Sequence, residues 1–382
     1  MKFDLEDKEL IRSCRPVLDR LYKEHKKKYV DLFFYEKDIL FTNFDLSPLV
    51  DVGILKNLGG KFRANVMVFP FMGKFIVTDF LYSIHRKKGG QYLRRLDDVW
   101  PMYPHETLNF IKSLNLSKGR YRNKKALDMA SGSGAISLFL ADYFKNVVSV
   151  DINPKAVNYS RFNSILNGLE GKIKSIRSNL FSSLKNEKFD YVIWNGPTGA
   201  FPPVKNPRKH YPFYIYGGAD GTEFTKKFLL SFLKFVNKSF DVKFLDCSLG
   251  TNKESLIESF LKERFSGKPI NIQIEFLNKN GRSPLSGYDK LYRKYCSGRL
   301  PMNIKQDKEF IESAKKYPDW IKINKLNYVY FSYITIRPGS RFDLSYKYPK
   351  KSTFLPRHNF GFEWHVASAK LIERYLREYN PA

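Results

Sequence analysis

The sequence predicts an α/β fold built on a mainly parallel sheet, and three observations carry that prediction. Beyond residue 100, short β-rich runs alternate with helical stretches. The first run breaks into small residues that open a helix, "DMASGSGAI", and the second ends on an acid, "VVSVDINP". Strands separated by helices imply βαβ units, with helices covering both faces of the sheet.

Each element has its own signal. Apolar residues at helical spacing (Leu10, Ile11, Val17, Leu18, Leu21, Tyr22) predict helix from about Leu5 to Leu32, interrupted by Pro16 and the basic run "KEHKKKY". "FRANVMVFPFMGKFIVTDFLYSI" reads as two β runs joined at Met72-Gly73. Together they predict a small helical and hairpin N-terminal module over 1–98 with a substrate-recognition role, ending in the exposed "HRKKGGQYLRR". The second unit, 99–382, has strands at Lys125–Ala130, Asn146–Asp151, Lys172–Ile176, Phe189–Trp194, Asp241–Asp246, Ile270–Phe276 and Tyr328–Ile336. Helices are expected at 135–145, 154–167 and 221–237, and a partly helical insertion at about 278–327.

Composition narrows the function. The 382 residues are 43% hydrophobic and 16% aromatic, enough for a substantial core. Sixty-six Lys and Arg against 38 Asp and Glu give a net charge of +28, which favours a polyanionic partner such as nucleic acid or a ribosomal component. Cys14, Cys247 and Cys296 are too far apart for a disulfide framework or zinc site, the start "MKFDLEDKEL" is no signal peptide, and no apolar run reaches the ~18 residues of a membrane span. No histidine has metal-ligand spacing, so no metal is expected, and the compartment expected is the cytoplasm.

In a parallel sheet, ligands bind beyond the carboxyl ends of the strands, where a glycine-rich turn lets backbone N–H groups face them. Ser131, Gly132, Ser133 and Gly134 occupy such a turn after Asp128, and Asp151 stands where a carboxylate accepts both ribose hydroxyls of a nucleoside. A dinucleotide enzyme would prefer GxGxxG, which this turn does not spell.

With these motifs the chain resembles the class I methyltransferases, which use S-adenosyl-L-methionine (SAM), over roughly residues 100 to 340. "ALDMASGSGAISL" matches the first motif of that family and "VVSVDINPKAVNYSRFNSILNGL", with Ile152 after the acid, the second. "IRSNLFSSL" matches the third, with Asn179 and Leu180 where the family commonly has an acid that contacts adenine. "FDYVIWNGPTG" takes the place of the (Asn/Asp)-Pro-Pro-(Tyr/Phe) signature of enzymes that methylate planar nitrogens. "YPHETLNFI" and "GGADGTEFTKKFL" are similar to elements of the glutamine methyltransferases that act on release factors; ribosomal RNA enzymes share the signature.

The resemblance implies a Rossmann-like class I sheet, mainly parallel with the last strand antiparallel, SAM as cofactor and methyl transfer to nitrogen. Asn195, Gly196 and Pro197 are the implied catalytic residues, with Asn195 Oδ1 and the Gly196 carbonyl accepting the N–H groups of the acceptor. Gly196 stands where the family has its first proline and Thr198 where it has a stacking aromatic. Tyr103, His105, Thr198, Phe201 and Tyr211 are the candidate acceptor residues, and the loop "FPPVKNPRKHYPFYIYGG" reads as a substrate lid. Its basic residues are expected to converge with "KEHKKKY", "HRKKGGQYLRR" and "KGRYRNKK" on a polyanion. Three readings compete: an N-methyltransferase acting on nucleic acid or a translation protein, a small-molecule or peptide methyltransferase, and a SAM-binding module without turnover.

Overall fold

The computed structural model describes residues 1–80, 96–99, 104–117, 119–285 and 308–351, with Pro104 and His105 as backbone only. Tyr103, the His105 side chain, "HRKKGGQYLRR" and residues 286–307 of the insertion lie outside the described residues.

The N-terminal part consists of helices α1 (Lys8–Glu24), α2 (Lys26–Phe33) and α3 (Ser47–Asp51), and strands β1 (Ile39–Leu40), β2 (Leu55–Asn57), β3 (Lys61–Ala64), β4 (Met67–Phe71) and β5 (Lys74–Thr78). Strands β4 and β5 form the expected hairpin at Met72-Gly73. After α4 (Pro104–Leu114) follow β6 (Lys125–Met129), α5 (Ala135–Leu140), β7 (Asn146–Asp151), α6 (Pro154–Leu166), β8 (Ile173–Arg177) and β9 (Phe189–Trp194). The remainder comprises α7 (Pro207–His210), α8 (Glu223–Ser231), β10 (Val236–Gly250), α9 (Leu256–Phe265), β11 (Ile270–Phe276), β12 (Arg282–Pro284), α10 (Lys308–Ile323), β13 (Tyr328–Pro338) and β14 (Asp343–Lys347).

The main sheet runs β14-β11-β13-β10-β9-β6-β7-β8. Strands β8, β7, β6, β9 and β10 are mutually parallel, and β13 inserts antiparallel between β10 and β11. This is the Rossmann-like class I order, with the expected antiparallel strand; β14 adds an edge, parallel to β11, that the sequence reading lacked. Two helices are shorter than expected. The 135–145 helix stops at Leu140, and the 221–237 helix gives way after Ser231 to a 3-10 turn, Phe232–Phe235. The following strand is correspondingly longer than Asp241–Asp246, because β10 pairs with β13 from Val242 to Gly250.

Alternation along the strands sorts the core. Ala126, Val147, Tyr191 and Ile193 face α4, α5, α6 and the N-terminal part in one continuous apolar cluster. Leu127, Met129, Val148, Val150, Val192 and Trp194 face α8 and α9. A third cluster joins the 201–216 loop to α10.

Asparagines on α6 and at its C-cap fix the N-terminal part by imitating a neighbouring strand. The Asn163 amide accepts Val77 N–H at 2.8 Å and donates to Val77 O at 2.9 Å. Asn167 does the same with Phe75 (3.0 and 2.8 Å), and Asn158 with Phe3 (2.7 and 2.9 Å). Buried amides satisfied on both atoms specify a register that apolar packing alone leaves loose.

Candidate cofactor and acceptor site

Strand β6 carries Asp128 toward the carboxyl end of the sheet, on the α5 face. Its side chain is 1% exposed, Oδ2 accepts Ser137 Oγ–H at 2.6 Å, and Oδ1 has no partner among the described residues. Burial pushes this carboxyl up to about 7; the neighbouring Asp151 adds to the rise and Ser137 opposes it.

The chain then reverses through Ala130 to Gly134. Gly134 caps α5 at φ 80°, and a Cβ there would stand 2.5 Å from Ser160 Oγ, so no other residue fits. Asp151 ties the turn to the next strand end: Oδ2 accepts Gly132 N–H and Oδ1 accepts Asn153 N–H, both at 2.8 Å. Its carboxyl is also raised by burial, against the pull of these N–H groups. Hydroxyls run beneath the turn from Ser131 through Ser149 and Ser160 to Ser175 at 2.7, 2.9 and 2.9 Å, and Asn163 Nδ2–H holds Ser133 O at 2.9 Å. Ile152 is half-buried beside Asp151, while Asn179 and Leu180 (φ 50°) follow the end of β8. The structure therefore gathers all nine sequence-predicted cofactor residues at the carboxyl ends of adjacent strands.

The arrangement fits a nucleoside with a cationic tail. No atom lies within 4 Å of where a Cβ on Gly132 would stand, leaving room against the backbone. Asp128 keeps a buried oxygen unpartnered, and Asp151 retains lone pairs on both oxygens. A cationic group beside the two raised carboxyls would favour their charged forms.

Asn195, Gly196 and Pro197 leave β9 next to this turn, since β9 is the parallel neighbour of β6. Asn195 is half-buried and its side chain bonds no described residue. Position 196 is glycine for a reason that only the packing reveals. A Cβ there would stand 2.5 Å from Cη2 and 2.6 Å from Cε2 of Trp194. That indole is fixed by its Nε1–H to Thr225 Oγ1 at 3.1 Å and by stacking on Phe228 with centroids 5.2 Å apart. The departure from proline is thus coupled to the tryptophan two residues earlier.

The segment after Pro197 is bound along its length. Gly199 N–H donates to Ile215 O (3.0 Å), Gly217 N–H to Gly199 O (2.7 Å) and Phe201 N–H to Gly218 O (3.0 Å). Helix α10 supports it from outside through side chains at helical spacing: Glu309 accepts Lys205 N–H, Ser313 donates to Pro203 O, and Tyr317 donates to Ala219 O. The lid reading is corrected accordingly, because the loop is a braced ledge. Tyr211 is corrected with it. It is 1% exposed, donates to Pro202 O at 2.9 Å and stacks on Tyr216, so it shapes the ledge instead of presenting a ring to an acceptor. Phe201 is half-buried against Tyr211.

Thr198 shares a hydrogen bond with the Cys247 thiol, whose pKa burial raises. The Glu106 carboxyl in the first turn of α4 is pushed up by burial to about 7, and both Cys247 and Tyr333 feel its charge. "PHET" thus stands near the fourth motif, as its position in the sequence alone does not show.

Among the described residues, the basic stretch before β6 stands apart from the 201–218 loop. Arg120 and Lys124 precede β6, at the amino end of the sheet, opposite the loop that follows β9. There they pair with acids: Lys124 with Asp190 at 3.5 Å and Arg120 with Asp241 at 4.0 Å. Among the described residues no group of three or more His, Cys, Asp or Glu is placed to hold a metal ion, and no helix is long and apolar enough to cross a membrane.

The chain is similar to known methyltransferases. A family described as "Methyltransferase small domain" matches residues 107–207. A Methanocaldococcus jannaschii protein provisionally named as a protein N5-glutamine methyltransferase is 32% identical over 158 residues, 40% of this chain and 73% of that protein. The release factor glutamine methyltransferase of Dictyoglomus turgidum is 35% identical over 31% of this chain and 44% of its own length. The ribosomal protein uL3 glutamine methyltransferase of Francisella tularensis is 26% identical over 30% of this chain and 38% of its own length. The matches thus span less than half of these last two relatives.

Fold and site define a class I SAM-dependent methyltransferase. The chain belongs to the methyltransferase small-domain family, alongside these glutamine methyltransferases. It is a methyltransferase with SAM as its cofactor.

Proposed function

We propose that the chain methylates the side-chain amide nitrogen of a glutamine in a translation protein, a release factor or a ribosomal component, in the cytoplasm. The observation that carries this is Asn195-Gly196-Pro197 at the end of β9, uncommitted at Asn195 and beside the glycine turn of β6. Asp151 receives the ribose hydroxyls of SAM, Asp128 faces its cationic end, and Asn179 serves the adenine. SAM supplies a methyl group already activated on a sulfonium.

The remaining difficulty is the acceptor, because an amide lone pair is delocalised into the carbonyl. Asn195 Oδ1 and Gly196 O accept the two N–H groups, orient the nitrogen, and stabilise the positive charge that grows on it. Thr198 and the half-buried Phe201 border that position. The +28 charge favours an acceptor in a ribonucleoprotein, and the second reading, an RNA base, rests on the same charge.

Radiolabelled SAM with a ribosomal extract from cells lacking the enzyme separates the two. Label that resists ribonuclease and yields to protease supports the amide, and the reverse pattern overturns it. Asn195→Ala is expected to lower transfer by ~10²–10³-fold with SAM affinity within a few fold. Transfer at the wild-type rate would remove Asn195 from the mechanism.

A further inference from the structure

Four consecutive residues, Leu96 to Val99, each hold a different part of the site. Leu96 O accepts Phe213 N–H from the acceptor ledge at 3.1 Å. Asp97 O accepts Asn153 Nδ2–H at 2.8 Å. Asp98 pairs with Lys155 Nζ at 3.7 Å, and Val99 N–H donates to Asp79 Oδ2 at 2.8 Å. Lys155, 7% exposed in the first turn of α6, also pairs with Asp79 at 2.7 Å, and Tyr159 donates to the other Asp79 oxygen at 2.7 Å. A buried cation between two carboxylates fixes a segment in one place, since loosening either contact strands a charge.

Asn153 is where this segment meets the cofactor site. Its backbone N–H donates to Asp151 Oδ1, its Oδ1 accepts Lys155 N–H at 3.0 Å as the cap of α6, and only its Nδ2 reaches Asp97. Asp151 is a half-buried carboxyl whose pKa is raised by desolvation. A ribose bonded to Asp151 would hold the carboxylate in one orientation, and with it the Asn153 N–H that Oδ1 accepts. From Asp151 to the ledge the connection then runs through Asn153, Asp97 and Leu96 to Phe213. On the far side the ledge rests on α10, which has no part in the cofactor turn.

We propose that Asn153 is a positioning residue that couples the two halves of the site: through Asp97 and Leu96, an occupied ribose position at Asp151 fixes the acceptor ledge at Phe213. Cofactor and acceptor then bind cooperatively, with cofactor first. The inference rests on the placement of the ribose at Asp151 and is independent of the acceptor's identity.

The test uses S-adenosylhomocysteine, the demethylated product, with calorimetry for affinity and hydrogen exchange for the ledge. In the wild-type chain it is expected to slow exchange of the Phe213 amide and its neighbours by about tenfold, within the usual range of coupling between sites. Asn153→Ser keeps an oxygen to cap α6 and loses the donor to Asp97; Asn153→Asp keeps the shape and turns an acceptor toward that carbonyl. Both are expected to bind the product within about fivefold of wild type and to lose most of the ligand-dependent protection. Two variants guard against one failing to fold. Protection in either equal to wild type overturns the coupling, as does product binding to wild type without protection of the ledge. No product binding to wild type overturns the ribose placement itself, a different result from binding without protection.

Discussion

Enlarging Gly196 should destabilise the protein by an amount that shrinking Trp194 partly restores. In Gly196→Ala the new Cβ would stand 2.5 Å from Cη2 of the Trp194 ring. The ring has no easy retreat, because Thr225 holds its N–H at 3.1 Å and Phe228 stacks on it within 14° of parallel. Overpacking costs ~1–3 kcal/mol, and breaking the indole bond to make room adds about 1 kcal/mol. Trp194→Leu alone opens a cavity and leaves the Thr225 hydroxyl unpaired, at ~2–4 kcal/mol. In the double variant the Cβ occupies part of that cavity, so the combined loss should fall short of the sum by ~1–3 kcal/mol. Urea unfolding of all four proteins, at matching denaturant slopes, measures the coupling. Additivity within about 0.5 kcal/mol would refute the claim that this tryptophan is why glycine replaces proline.

Acid should stabilise the unliganded protein over part of its range. Burial holds Asp128 and Asp246 at about 7 against an ordinary 3.8, so between those values the native chain keeps protons that the unfolded chain has lost. Stability from these groups falls as pH rises through that window and levels off above it, by up to about 4 kcal/mol per carboxyl. Asp128→Asn removes one share, and a difference in melting temperature between pH 5 and pH 8 identical to wild type would contradict the assignment. Tyr317→Phe, which releases Ala219 O, should cost about 1 kcal/mol of stability and raise the acceptor KM several-fold with SAM affinity unchanged. An unaltered KM would mean that α10 does not shape the ledge.

The cofactor half of the site was legible because its requirements are local. A strand end, a turn of small residues and an acid on the next strand are read from one stretch of chain, and Asp128, Ser131 to Gly134 and Asp151 meet as that reading expects. The acceptor half depends on contacts between residues far apart in sequence. Glu309, Ser313 and Tyr317 lie about a hundred residues beyond the loop they brace, and nothing in their spacing names Pro203 or Ala219 as partners. Tyr211 shows the consequence, since an aromatic in a basic loop looks available until its neighbours bury it. The separation of one basic stretch from the loop follows from topology already implicit in the strands. Residues before a parallel strand and residues after its neighbour stand at opposite ends of the sheet, which separates Arg120 and Lys124 from the 201–218 loop.

The two departures in the fourth motif carry different weight. Gly196 and Trp194 fit each other sterically, so the missing proline records repacking beneath the motif. Thr198 is a change at the proposed acceptor side: its hydroxyl bonds the Cys247 thiol near the half-buried Glu106, and it supplies no ring. A base taken out of a nucleic-acid stack depends on aromatic contact worth ~1–3 kcal/mol, whereas a glutamine amide needs chiefly its N–H groups held and its carbon stem covered. Polar Thr198 with half-buried Phe201 beside it suits the second requirement better than the first. The sequence change that most weakens the resemblance to base-modifying enzymes is therefore the one that favours an amide acceptor on a protein.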